Sequence, residues 1–347
     1  MYSLRINRQI KGRVVSLGGQ GTAYIGRNYT ILSYDSNWNH KVIGKVPCPL
    51  KRRLIEPSRL LCRAFRHEIR AFSFLPNGDR VVATRQGLFY GAGDELLMRP
   101  ATIAQSDLQI KPPMTITVDS NGRVLWGEYW GNHTRREVRL YISEDMGRSY
   151  HPFWRFQRGE VKHVHNIMED PYDDCYWLFV GDDFTEPGIA RISRDLKSVD
   201  WLVKGKQLYR AVSGFISADK IIYATDTERD YNHICLLDKT SGKVDLLCDT
   251  PGSCIYSSKF GKWYVVTTSV EYFRKYKNDL ATLWISQNGY DWHRVFEAKK
   301  DIWHKVYFQF GSLVLPRDSW DRDEIIFSGQ ALKGIEGKVC VAEVVDS

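Results

Sequence analysis

No stretch of this chain approaches the ~20 consecutive apolar residues a membrane-spanning helix needs, so no membrane span is expected. Met1–Gln9 alternates, carries Arg5 and Arg8, and has no apolar core segment. A secretory signal is therefore not expected, and the cytoplasm is the default compartment. The seven cysteines (Cys48, Cys62, Cys175, Cys235, Cys248, Cys254, Cys340) include no C-x-x-C pair. That argues against a zinc knuckle or a disulfide framework and for reduced, mostly buried thiols. Neither a dinucleotide G-x-G-x-x-G nor a P-loop occurs, so no organic cofactor is evident. RNP-like, helix-turn-helix and zinc-finger patterns are missing as well, which disfavours nucleic acid as a partner. Helical spacing is confined to Arg59–Ile69, where a helical turn inside a connection is one reading.

What is present is strand. Short β-branched and aromatic or alternating runs recur, among them Arg13–Leu17, Arg80–Thr84, Thr115–Val118, Tyr176–Val180, Lys220–Ala224, Trp263–Thr267 and Glu324–Ser328. Turn dipeptides such as Asn77-Gly78, Asn121-Gly122, Ser241-Gly242 and Asn288-Gly289 punctuate them. The pattern is all-β with hairpins. Aromatics at 13% supply ample apolar surface for burial and exclude a disordered chain. The net charge of +8 is uneven: Lys51–Arg70 holds seven basic residues against Glu56 and Glu68, a local +5. An anionic partner, or a solvated basic connection, would account for it.

One hairpin recurs. Ser143-Glu-Asp145-Met-Gly147-Arg-Ser149-Tyr150 follows an apolar strand, as does Ser286-Gln-Asn288-Gly289-Tyr-Asp291-Trp292. Looser copies start at Ser193 and Ser33. The first matches S-x-D-x-G-x-[ST]-[WYF], in which Ser and Asp oxygens accept backbone N–H groups, Gly supplies φ > 0, and the aromatic packs between sheets. The spacings are 110, 50 and 93 residues, so the larger gaps hold about two units each. Box-less hairpins at Leu88–Asp94 and Ile234–Gly242 fill them, and a last strand, Val339–Val344, closes the series. Seven units of roughly 45–55 residues have the period of a β-propeller. A single seven-bladed domain over 1–347 is expected, with six blades as the alternative. Tyr2–Asn7 should complete the last blade beside the C-terminal strand.

These hairpins resemble those of the sialidase-like Asp-box (BNR repeat) β-propellers, which include glycoside hydrolases, polysaccharide lyases and non-catalytic receptors and assembly factors. The resemblance implies blades running a–b–c–d outward from the axis, with the boxes in c–d turns. The opposite face, with its b–c loops and d–a links, then carries the site. On that face fall Glu128, Tyr129, Asp182 and Asp226, a Glu271–Tyr276 loop containing Tyr272, and the links bearing Arg66-His67, Lys162-His163, Tyr209-Arg210 and Trp303. His163 and His165 alternate on a strand and project to one side. They can be a structural pair, an acid/base or carboxylate-binding pair, or two metal ligands awaiting a third such as Asp182 or Glu128. A divalent metal therefore stays open.

The loose resemblance of this face to propeller polysaccharide lyases implies β-elimination at a uronic acid. His165 or His163 would be the base, Tyr209 or Tyr129 the acid, and Arg210 or Arg66 the carboxylate clamp. Hydrolysis by Asp182 or Asp183 with Glu128 or Asp226 is the close rival. A sialidase is disfavoured, because no F-R-I-P-like segment and no arginine triad can be assigned. The leading expectation is a carbohydrate-active protein for an acidic glycan, with His67, Tyr272 and Trp303 as further contacts. The alternative is a non-catalytic propeller binding a glycan or a protein.

Overall fold

A computed structural model describes residues 2–104, 111–271 and 278–346. Among these, the strands form seven blades of four antiparallel strands, with Thr102–Ile103 added in parallel to the outer strand of the third and a short bridge linking the last two. Blade 1 comprises Arg13–Gly18, Thr22–Arg27, Thr30–Tyr34 and His40–Lys45. Blade 2 begins at Ile69–Phe74, blade 3 at Thr117–Val118 and blade 4 at Val164–Glu169. Blade 5 begins at Ala211–Ile216, blade 6 at Ser253–Phe260 and blade 7 at Gly311–Val314. The starting strands of blades 1 to 6 touch in succession, and blade 7 meets blade 6 through Gly311–Val314 and blade 1 through its next two strands, so the ring has seven members and the six-bladed alternative falls. The helical turn expected near Arg59 is there, as Arg59–Ala64 capped by Ser58, whose side chain accepts the Leu61 N–H.

Blade 7 takes three strands from the C-terminal region and its outermost strand, Tyr2–Lys11, from the N-terminal one. That strand pairs antiparallel with Lys338–Asp346, from Tyr2 opposite Asp346 to Lys11 opposite Lys338. The ring is closed by hydrogen bonds between the two ends of the chain, as the unpartnered alternation at the start suggests.

Burial is layered. Apolar clusters lie between successive blades, one joining Leu125, Leu140 and Val138 of blade 3 to Tyr176, Leu178 and Ala190 of blade 4. Central strands are covered on both faces, which is why Cys175–Val180 reads as an unbroken apolar run and is wholly buried. The recurring hairpins all fall in c–d turns. In blade 3, Ser143 Oγ donates to Asp145 Oδ1 at 2.8 Å and accepts Gly147 N–H at 2.9 Å, while Asp145 accepts Ser149 N–H. Gly147 has φ +77°, and a side chain there would strike Val81 of blade 2. The turn thus also sets how closely two blades approach. Tyr150 is buried edge-on against Trp126, and Trp292 lies in the layer shared with blade 5.

The innermost strands carry a recurrent irregularity that the sequence did not announce. Register shifts fall between Val14 and Ser16, Ile69 and Ala71, Val164 and Asn166, and Cys254 and Tyr256. A bulge re-aims the extra residue. The residues so placed include Arg70 and His165.

Candidate functional site

A channel of about 580 Å³ follows the axis and is lined by the innermost strands of all seven blades. On the face of the b–c loops it meets a narrower space of about 200 Å³, collared by Arg13, Arg70 and Arg317 with Tyr256. That space adjoins a basin of about 1300 Å³, sharing Arg66, Arg70, Arg85 and Tyr129 with it. Lys111 and Lys162 also line the basin, and Asp182 is the one carboxylate among its lining residues.

His163 and His165 stand at its edge with Asp182. His163 Nε2 is 3.1 Å from His165 Nε2, and Asp182 Oδ1 lies 3.2 Å from the first and 3.0 Å from the second. Each ring is fixed from behind. His163 Nδ1 is 2.6 Å from the Trp130 carbonyl, and His165 Nδ1 is 2.8 Å from the Ala211 carbonyl of blade 5. A carbonyl only accepts, so both Nδ1 atoms carry hydrogen, and both Nε2 atoms are turned toward the carboxylate. Burial lowers the His165 pKa against the opposing pull of Asp182.

Asp182 comes from the b–c loop of the same blade and is held on both oxygens. Arg210 Nη2 is 3.1 Å from Oδ1, and Lys162 Nζ is 3.0 Å from Oδ2. Burial works to raise its pKa, but Arg210 and His163 outweigh it and hold the carboxyl well below its usual range. Asp226, on the far side of Arg210 at 3.6 Å, behaves oppositely. Its burial, with Glu271 adding like charge, pushes its pKa well up, and its Oδ1 has no hydrogen-bond partner. The Tyr129 ring lies 4.4 Å from that of His163, and the Arg70 guanidinium sits 5.8 Å from its centroid. Its enclosure and the charges of Asp182 and Asp226 raise its pKa, so the phenol keeps its proton.

The expected residues thus divide. His163, His165, Tyr129, Arg210 and Asp182 come together, Asp226 stands behind Arg210, and Arg66 lines the basin. Glu128 is buried and braces its own loop, accepting the N–H groups of Lys111 and Arg139. Tyr209 ends a short 3₁₀ turn, Gln207–Tyr209, and lines none of the three cavities. His67, expected at the substrate, is instead fully buried, stacked 4.1 Å from Tyr29 and 3.1 Å from Glu56. Trp303 packs against Phe308 and lines none of the three cavities. Tyr272 lies outside the described residues.

The arginine collar escaped the sequence reading. Arg13 opens the innermost strand of blade 1 and Arg70 is the second residue of that of blade 2. Arginine recurring at the start of inner strands was the available signal. The basic Lys51–Arg70 connection is split accordingly. Arg63 is buried against Asp301 and the Phe308 carbonyl, Arg59 pairs with Glu336, and Arg66 and Arg70 reach the basin.

No family model matches this chain, and no curated protein matches it. Solved structures do. A virginiamycin B lyase from Staphylococcus aureus is similar over 99% of this chain and 100% of its own, at TM-score 0.62 and 12% identity. An oligogalacturonate lyase in complex with manganese is similar over 98% of both chains, at 0.61 and 10%. The GH74 enzyme of Niastella koreensis is similar over 97% of this chain but 43% of its own, at 0.55 and 12%. These likenesses place the chain among propeller proteins. At such identities they establish the fold alone.

Among the described residues, no helix is long and apolar enough to cross a membrane.

Proposed function

We propose that this propeller is a lyase acting on an acidic glycan by β-elimination at a uronic acid. The observation that carries the reading is the cationic basin, where Arg66, Arg70, Arg85 and Lys162 surround Tyr129 and a single carboxylate. A sugar carboxylate held against Arg66 and Arg70 would lose charge, and the hydrogen on the adjoining carbon would become acidic. That proton would pass to a water or hydroxide held at the His163–His165–Asp182 centre. The electron pair left behind forms the new double bond and expels the β-oxygen, which takes its proton from Tyr129. Tyr129 suits the acid role because its surroundings keep it protonated.

Hydrolysis has one observation in its favour: the Asp182 pKa is pushed down by Arg210 and His163 while burial and Glu271 push that of Asp226 up, the divergence an acid/base pair needs. Asp226, however, lines none of the three cavities, which is why elimination is preferred. The Ser143, Ser193, Ser286 and Ser33 hairpins are read within the same proposal as Asp-box hairpins of the sialidase-like type.

The test is a screen of purified protein against acidic polysaccharides, with neutral ones as controls. Unsaturated ends, detected by ultraviolet absorbance on acidic substrates alone, are expected. New reducing ends without unsaturation would replace the lyase by a hydrolase. Salt-sensitive binding with no cleavage would replace the enzyme by a glycan-binding propeller.

A further inference from the structure

We infer that His163 Nε2, His165 Nε2 and Asp182 Oδ1 form a binding site for one first-row divalent metal ion. Three potential donor atoms meet at separations of 3.0, 3.1 and 3.2 Å, with both Nδ1 hydrogens already spent on main-chain carbonyls. Such a triangle of lone-pair atoms is held together by a positive centre among them, and a divalent ion fits its size. Ligands about 2.1–2.2 Å from a six-coordinate ion stand roughly 3.0–3.1 Å apart when adjacent, which is the size of this triangle. Two imidazoles and one carboxylate on one face of an ion are a recurrent donor set for such metals. The outer arrangement also fits. Each ligating imidazole donates its other N–H to a main-chain carbonyl, and the carboxylate is gripped by Arg210 and Lys162, as metal ligands generally are. His163 and Asp182 line the basin, so the remaining coordination positions would open toward Arg70 and Tyr129, where an anionic group could complete them.

Blade geometry explains why the donors meet. His163 precedes the inner strand of blade 4, His165 sits in that strand's bulge, and Asp182 follows the strand Cys175–Val180 beside it. A second group, Cys48, Glu56 and His67, places potential donors within 4.8 Å of one another but lies away from the basin, and it serves as the internal control.

The test uses the full chain stripped with chelator and titrated with Mn²⁺, Co²⁺ and Zn²⁺ alone, read by calorimetry and Co²⁺ absorption. One equivalent per chain is expected, with Co²⁺ bound more tightly than Mn²⁺. His163→Ala, His165→Ala or Asp182→Ala should weaken binding at least ~100-fold, and His67→Ala should leave it unchanged. Because the buried variants could fail to fold, Cu²⁺ electron paramagnetic resonance on the wild type supplies an independent reading: coupling to two imidazole nitrogens is expected. Absence of binding, a spectrum without two nitrogens, or loss of the ion in His67→Ala would overturn the site. The lyase reading is tested separately. Unsaturated products from a protein that binds no metal would sink this inference and leave that one standing, and a metal-binding protein that cleaves nothing would do the reverse.

Discussion

Gly127 offers the sharpest test of how the site is positioned. It ends the second strand of blade 3, and a Cβ added to it would lie 2.5 Å from Val164 Cβ and Cγ1. Its φ is not in the left-handed region, so alanine costs nothing in backbone strain and the whole effect is steric. Comfortable carbon contacts need ~3.5–4.0 Å, so Val164 must retreat by roughly 1–1.5 Å. Val164 stands between His163 and His165, and the two imidazoles must move with it. Overpacking of this kind costs ~1–3 kcal/mol. At about 2.1 cal/mol/K of unfolding entropy per residue over 347 residues, that lowers Tm by only ~1–4 °C. A 1 Å misplacement at a reacting centre, by contrast, can cost ~10²-fold in rate. Gly127→Ala should therefore stay folded, lose about two orders of magnitude in kcat/KM on the acidic glycan, and lose metal affinity in parallel. Gly19→Ala, with no atom within 4 Å of its Cβ, is the matched control and should be silent. Melting curves and steady-state rates on both variants decide it. A Gly127→Ala protein with wild-type activity, metal affinity and Tm would show that the imidazole pair does not depend on this contact, and the positioning argument would be refuted.

Tyr129→Phe removes only the phenol and should reduce elimination ~10²–10⁴-fold while glycan binding persists; an unchanged rate would remove Tyr129 from the chemistry. Asp182 has a folded pKa well below its unfolded one, so its contribution to stability is present above the ordinary carboxylate range and is lost as pH falls through the folded value. Asp182→Asn should thus cost about 3 kcal/mol at neutral pH, the low end for breaking a buried pair. The gap between urea midpoints of wild type and variant should narrow on acidification, and a gap independent of pH would contradict the assignment. Truncating the strand Tyr2–Lys11 strips Leu4, Ile6 and Ile10 from the adjoining core and exposes a long edge. With Tyr2, which packs on Trp263, that makes four half-buried side chains; at ~1 kcal/mol each, a loss of about 4 kcal/mol is expected, together with self-association visible by light scattering.

The architecture was legible because its signals are local and repeated. Ser33, Ser143, Ser193 and Ser286 each mark a c–d turn, so their spacing counts the sheets and even locates the blades without a box. The closing strand could be inferred from a pattern lacking a local partner. The site was legible only in part. His163 and His165 advertise themselves by alternation, whereas their meeting with Asp182 within about 3 Å depends on where a loop folds back. The bulges that re-aim Arg70 and His165 have no residue signature, and the collar gathers Arg13, Arg70 and Arg317 from three blades. His67 was misplaced for a related reason: the adjacent Arg66 reaches the basin, but one residue further on the chain turns its side chain inward beneath Tyr29.

The closing strand also sets a timetable. Lys11 pairs with Lys338, 327 residues later in the chain. At roughly 5–20 residues per second of synthesis, the first strand made would wait about 15–65 seconds for its partner. During that wait its hydrogen-bonding edge is open to any other strand nearby. The same seam that ties the first strand to the last in the finished ring leaves the nascent chain with an unpaired end, so overexpression should favour exchange of this strand between copies unless a chaperone covers it.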